Sequence, residues 1–234
     1  MQFSFVTLFP HLIEPYFSDS ILQRALKAGL IDINCVNPRH FSANKFLKVD
    51  DYQVGGGAGL VLEPLSFSLA LDFVKEKNPN THIIFLTPCA KTFHQNDAKR
   101  LSNKQHISFV CGRYEGFDER LIECYANEVF SIGDFILTGG ELAALCLCDS
   151  IARQIKGVLG NEESLRGESY EKHLLEAPNF VKPYSFKDLA IPSEYSKGNH
   201  ARMSNFKLRV AEAKTKFHRL DLYMRYKQGL NNEK

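Results

Sequence analysis

Four short apolar runs, at residues 3–9, 82–86, 107–111 and 129–132, constrain this chain more than any other feature. Each is too short for a stable helix and too evenly apolar for a strand with one wet face. Each therefore reads as a strand buried on both sides. Stretches with helical spacing lie between them, at 20–28, 64–75, 96–101, 118–126 and 141–155. A further strand, in which Ile31, Ile33 and Cys35 alternate with Asp32 and Asn34, reads as half-buried. Strands alternating with helices predict a parallel sheet in an α/β layer fold. In such sheets ligands bind beyond the carboxyl ends of the strands. Three of those ends carry turn residues, at Thr87-Pro88, Gly112-Arg113 and 131–133, so one shared crevice is expected there.

Composition narrows the class. A chain of 234 residues with 44% hydrophobic content fits one large globular domain, or one and a half. The net charge of +2 excludes a bulk polycation. The six cysteines sit mostly in apolar runs and form no C-x-x-C pair, so buried reduced thiols are expected and a zinc site is not. FSFVTLF follows the start without a basic stretch, which argues against a signal peptide. No apolar run approaches the length of a membrane span. A cytoplasmic location is expected.

The character changes beyond Gly160. Residues 161–172 (NEESLRGESYEK) are polar and nearly free of apolar anchors, the composition of a linker or an ordering loop. Residues 177–193 hold three prolines and read as extended. A helix is expected from Gly198-Asn199, with Asn199 as its N-cap. Met203, Phe206, Val210, Ala213 and Phe217 recur at helical spacing as one apolar stripe. Nine Lys and Arg between positions 197 and 227 face only Glu212 and Asp221. A solvated face explains such a segment, and so does contact with nucleic acid. The expected organisation is a domain over 1–160, a linker over 161–175 and a small helical, basic domain over 176–234.

Three motifs stand out. GGGAG at 55–59 lacks the Gly-Lys-Ser/Thr of a P-loop and the spacing of a dinucleotide fingerprint. Flanked by Asp50 and Asp51, it reads as a connector or as a loop that closes over a ligand. GRYEGFDER sets Arg113, Tyr114, Glu115, Asp118, Glu119 and Arg120 at the exit of a buried strand. Arg grips phosphate with two parallel hydrogen bonds and Tyr stacks on bases, whereas Asp118 also suits a helix N-cap. SIGDFILTGGE places an apolar run between a turn at Gly133-Asp134 and a Gly-Gly break before a helix. It reads either as two ordinary turns or as a loop bent round a flat ring. Arg153, near the end of the last long helix, favours the helix dipole in its plain role. Glu162, Glu163, Glu168 and Glu171 are solvated charges or candidate bases.

VDDYQVGGGAG (49–59), VCGRYEGFDER (110–120) and FSIGDFILTGGE (130–141), in this order and spacing, resemble the signature blocks of the bacterial tRNA (guanine-N1)-methyltransferase family. The resemblance runs from LFP at Leu8 to GNH at Gly198 and is looser beyond. It implies an α/β SPOUT-type fold: a mostly parallel sheet with a deep trefoil knot, plus a small helical C-terminal domain. It implies S-adenosylmethionine held by Leu86, Thr87, Pro88, Gly112 and Glu115, and by Ser131, Ile132, Gly133, Asp134, Phe135, Ile136, Leu137, Gly139 and Gly140. The implied reaction is methylation of N1 of guanine 37 in tRNA, following G36, which protects the reading frame. For RNA binding it implies Asp50, Gly56, Gly59, Arg113, Arg120, Asn199 and His200. Arg153 matches the family's supporting arginine. Glu168 stands where the family has an aspartate base, and Ala143 where a proline is usual. The family acts as a homodimer with each site built from both chains. It requires Mg²⁺; no preformed magnesium cage is legible, although Asp50, Asp51 and Glu168 could share one with RNA. Two alternatives remain: a SPOUT enzyme acting on another RNA position, and an inactive RNA-binding homologue.

Overall fold

The computed structural model describes residues 1–165, 167–196 and 199–232. These divide into two compact units, Met1–Asn161 and Glu162–Lys234. In the first unit the elements run β1 (Gln2–Val6), α1 (Ser20–Lys27), β2 (Asp32–Val36), β3 (Asp50–Tyr52), β4 (Leu60–Leu62), α2 (Pro64–Lys77), β5 (His82–Leu86), α3 (Gln95–Leu101), β6 (His106–Cys111), α4 (Glu119–Tyr125), β7 (Glu128–Phe130) and α5 (Glu141–Ala152). Five strands form one sheet in the order β2-β1-β6-β5-β7, and every neighbouring pair is parallel.

The alternation of side chains explains why these runs are apolar throughout. Phe3, Phe5, Ile84, Leu86, Ile107, Phe109 and Cys111 join α1, α3 and α5 on one face. Val6, Ile83, Phe85 and Val110 join α2 and α4 on the other. All six residues of β6, the central strand, are buried. Phe109 lies 5.5 Å from Phe5 and 6.1 Å from Phe3 between ring centroids, and Phe85 lies 5.1 Å from Phe117. Each such ring contributes roughly 1.5–3 kcal/mol by leaving water.

Several boundaries differ from the sequence reading. β1 stops at Val6 rather than at position 9, and just beyond it the Thr7 hydroxyl donates to the buried Glu141 carboxylate at 2.8 Å. The polar stretch at 37–59, which reads from the sequence as one long loop ending in GGGAG, is not one loop. It holds an antiparallel hairpin, β3 with β4, whose tip is GGGAG. Gly55 and Gly56 there have φ of +95° and +90°, which a side chain rarely adopts. α5 ends at Ala152, three residues before the expected end at 155, with Arg153 as its C-cap. All six cysteines are free, as expected, but Cys89, Cys124 and Cys146 are exposed rather than buried.

β7 is a sheet edge, and its charge is concentrated on Glu128. The Arg100 guanidinium grips this carboxylate with bonds of 2.8 and 2.7 Å, His82 lies at 2.8 Å and Lys91 at 3.4 Å. Burial alone would raise the carboxyl, but bonds from Arg100, His82 and Lys91 outweigh it and hold the pKa down at about 2. A depressed folded pKa stabilises the protein above the unfolded value and loses that contribution as pH falls through the folded one. Glu128→Gln is therefore expected to cost on the order of 1–2 kcal/mol near pH 6, after discounting for screening. The gap to wild type should close between about pH 4.5 and pH 2. Urea denaturation of both proteins across that range checks it. A gap that does not change with pH would mean the ion pairs contribute nothing.

The second unit holds a two-residue hairpin, β8 (Ser185–Phe186) with β9 (Leu189–Ala190), then α6 (His200–His218) and α7 (Leu220–Asn232). Asn199 caps α6, its side chain accepting the Arg202 N–H at 3.0 Å. Gly198, where the helix was expected to begin, lies outside the described residues. The expected stripe on α6 drifts. Met203, Phe206 and Val210 are half-buried, but the line continues through buried Ala211 and Thr215, leaving Phe217 84% exposed. Thr215 explains the shift: its hydroxyl accepts the Leu175 N–H at 2.8 Å, which turns that face inward.

Candidate functional site

The loops that follow β5, β6 and β7 meet beyond the carboxyl ends of their strands. Backbone bonds lock them together. Thr87 N–H donates to Phe130 O (3.1 Å), Phe93 N–H to Ser131 O (2.8 Å), Ser131 N–H to Lys91 O (2.9 Å) and Gly140 N–H to Gly112 O (2.8 Å). Between them lies a cleft of about 250 Å³. Of the fourteen residues assigned to the donor, twelve line it: Leu86, Thr87, Pro88, Gly112, Glu115, Ser131, Ile132, Phe135, Ile136, Leu137, Gly139 and Gly140. Gly133 and Asp134 do not. They form the turn between, where the Ser131 hydroxyl donates to Gly133 O (3.0 Å) and accepts from Gly133 N–H (3.1 Å).

The wall is apolar on one side. Ile136 is 80% and Phe135 53% exposed, unusual for large apolar groups unless a ligand or partner covers them. On the other side glycine permits a close approach. A Cβ at Gly140 would sit 2.8 Å from Gly112 N and 2.9 Å from Cys111 Cα. Burial, followed by the Glu141 carboxylate, pushes the Cys111 thiol up, so it is inert beneath the floor of the site. The apolar wall, with the backbone of residues 139–140 opposite, fits a flat ring with a polar tail. Among the described residues no three His, Cys, Asp or Glu side chains come together as a metal-holding group.

The RNA candidates are placed less uniformly. Asp50 is buried on β3, Gly56 is at the hairpin tip, and Gly59 abuts the Glu115 carboxylate, 2.7 Å from where its Cβ would be. Arg120 is outside the cleft and forks onto Asp118 with bonds of 2.9 and 2.6 Å. Asp118 is also the N-cap of α4. Arg113 is half-buried and lines the cleft itself: its guanidinium pairs with Glu141 at 2.8 Å and bonds to Thr138 O at 3.2 Å. Asn199 is occupied as the α6 cap, whereas His200 beside it is exposed. Arg153 in the first unit and Glu168 in the second are both half-buried. Glu171 holds the Gly167 N–H at 2.8 Å; the side chains of Glu162 and Glu163 lie outside those described.

The sequence reading missed Thr7, Phe9, Thr138 and Glu141. Only the fold brings them to Arg113, and a Thr and a Phe inside an apolar run carry no signal of it.

A parallel α/β layer whose three adjacent loops build one cleft beyond the strand ends defines a ligand-binding enzyme domain of the open-sheet class. Its family follows from comparison. The tRNA (guanine-1)-methyltransferase TrmD family matches residues 1–225, and the chain belongs to it. Proteins named tRNA (guanine-N(1)-)-methyltransferase are similar over their whole lengths. That of Helicobacter hepaticus is 58% identical over 240 residues, covering 100% of this chain and 99% of its own. That of Campylobacter curvus is 56% identical over 233 residues, with coverage of 100% and 99%. That of Sulfurimonas denitrificans is 54% identical over 231 residues, with coverage of 99% and 100%.

Proposed function

We propose that this protein transfers a methyl group from S-adenosylmethionine to N1 of guanine 37 in tRNA whose position 36 is also guanine, and so protects the reading frame. The observation that carries the reading is the cleft itself. Three interlocked loops, an apolar wall and a Gly140 backbone contact too tight for any side chain are what a folded-over nucleoside donor needs. The bonds joining 87 to 130, 93 to 131 and 140 to 112 are consistent with the trefoil knot of the SPOUT class.

The donor supplies a methyl already made electrophilic by its sulfonium, so the protein's task lies with the guanine. Glu168 takes the N1 proton as N1 forms its bond to the methyl carbon; the C–S bond breaks and its electron pair stays on sulfur. Arg153 offsets the negative charge that develops at O6. The first unit holds the donor, residues 161–175 bring the base, and the basic helices of the second grip tRNA through phosphate. Exposed Ile136 and Leu142, 80% and 61% accessible, support a homodimer in which each site is completed by the other copy. No helix among the described residues is long and apolar enough to cross a membrane, and we place the enzyme in the cytoplasm. No step is assigned to Mg²⁺.

The test is transfer of a labelled methyl to tRNA transcripts bearing G36-G37 or G36-A37, with the product nucleoside identified by mass spectrometry. N1-methylguanine from the first transcript only is expected. Label at another position, or none despite donor binding, would sink the assignment.

A further inference from the structure

We propose that Arg113 is a positioning residue for the donor site, not an RNA contact, acting through a half-buried clamp with Glu141 and Thr7 at the cleft wall. The proposal rests on the methyltransferase reading above. Arg113 leaves β6 directly after Gly112, and as a sequence motif it suggests a phosphate grip. The structure turns it inward. Its side chain is 18% exposed and its Nη2 is 2.8 Å from Oε2 of Glu141, itself 2% exposed. Oε1 of Glu141 accepts the Thr7 hydroxyl at 2.8 Å, and that hydroxyl oxygen accepts the Phe9 N–H at 3.0 Å. The guanidinium lies 4.5 Å from the Phe9 ring centroid, a cation–π contact. Nη1 donates to Thr138 O at 3.2 Å. A Cβ at Gly139 would meet the same guanidinium at 2.3 Å.

One side chain, itself at the cleft wall, therefore joins the end of β1, the end of β6 and the first turn of α5 to residues 138–139, which line the same cleft. Glu141 suits its place, since a carboxylate in the first turn of a helix is favoured by the dipole. Stability alone does not account for the pair. Nε of Arg113 and Oε2 of Glu141 are buried without an aligned hydrogen bond, so the charges are close but imperfectly satisfied. Such pairs add little to stability over an apolar replacement; what they fix is geometry. Here the fixed geometry is the Thr138-Gly139-Gly140 turn. Released from Arg113, that turn would sample other shapes, and the donor would meet a cleft that it must first order.

The experiment compares wild type with Arg113→Met, Arg113→Lys, Glu141→Gln and the double variant Arg113→Met/Glu141→Gln. Calorimetry with S-adenosylhomocysteine, filter binding of a tRNA transcript and amide hydrogen exchange are measured on each. Arg113→Met and Glu141→Gln should each raise the Kd for S-adenosylhomocysteine and the donor KM by about tenfold or more, while tRNA Kd stays within about twofold. The double variant should lose no more than the worse single, because both changes break one unit. Arg113→Lys should recover only part of the loss, since one ammonium cannot hold Glu141 and Thr138 together. Exchange should quicken at 138–140 and not in β6, which separates a released turn from a globally weakened fold. Loss of tRNA binding with donor affinity intact would make Arg113 an RNA contact and overturn the proposal; unchanged donor affinity and exchange would do the same. A wild type that binds no S-adenosylhomocysteine would sink the methyltransferase reading, and the clamp with it.

Discussion

Glu168→Gln is expected to slow methyl transfer to G37 by about two orders of magnitude or more, with donor and tRNA affinities nearly unchanged. Gln keeps the shape and hydrogen bonding of the side chain but cannot take up the N1 proton, and loss of a general base has this scale. The Glu171 carboxylate accepts the Gly167 N–H at 2.8 Å, a bond that spans Glu168, and Tyr170 N–H donates to Leu174 O at 2.7 Å just beyond it. Tyr170, Lys172 and His173 all have positive φ, at +77°, +48° and +59°. Non-glycine residues hold such conformations only where the surroundings over-determine them, as at sites that must aim a side chain. Glu171→Gln keeps an acceptor for Gly167, so it should cost less than about threefold. Single-turnover rates at saturating donor and RNA compare the two variants. A large loss on Glu171→Gln with Glu168→Gln near wild type would move the base to Glu171. Glu168 is one methylene longer than the aspartate that the resemblance implies at this position, so Glu168→Asp tests the register of the loop. A variant as active as wild type would show that the loop adjusts by that length.

The strands were legible because they are buried on both faces, which leaves four apolar runs that suit nothing else. The crevice followed from the strand ends, and most of the residues lining it lie in two of the three motif blocks, 110–120 and 130–141. Other features were hidden for specific reasons. The β3–β4 hairpin has only three residues per strand and begins with two aspartates, so neither periodicity nor propensity marks it. The buried line on α6 passes through Thr215 rather than Phe217, because burial there depends on a hydrogen bond from a distant backbone and not on apolarity. The partners of Arg113 are unreadable from spacing. Glu141 is far along the chain, and nothing local shows that a glutamate opening a helix will be 2% exposed. Asn199 shows how one residue type answers two questions, since the side chain suited to RNA is also the one suited to capping α6.

Gly140→Ala is expected to weaken S-adenosylhomocysteine binding by about a hundredfold or more and to destabilise the first unit by about 2–4 kcal/mol. The reason is contact, not backbone freedom. Gly140 has φ −81° and ψ −8°, which alanine adopts readily. The added methyl, however, would sit 2.8 Å from Gly112 N, 2.9 Å from Cys111 Cα and 3.2 Å from Cys111 C, and all three are backbone atoms that cannot rotate away. The two loops must part, which breaks the 2.8 Å bond from Gly140 N–H to Gly112 O. Overpacking of this kind costs about 1–3 kcal/mol, and the lost bond about 1 more. The same separation widens the cleft where glycine had allowed the closest approach, so binding should fall more steeply than stability. Gly160→Ala is the matched control, because nothing lies within 4 Å of a Cβ there and its φ is ordinary. It should stay within about 0.5 kcal/mol of wild type. If Gly140→Ala bound the donor product as wild type does, the joined loops would not be what shapes the cleft. If it lost stability alone, they would hold the fold together and the donor would be gripped elsewhere.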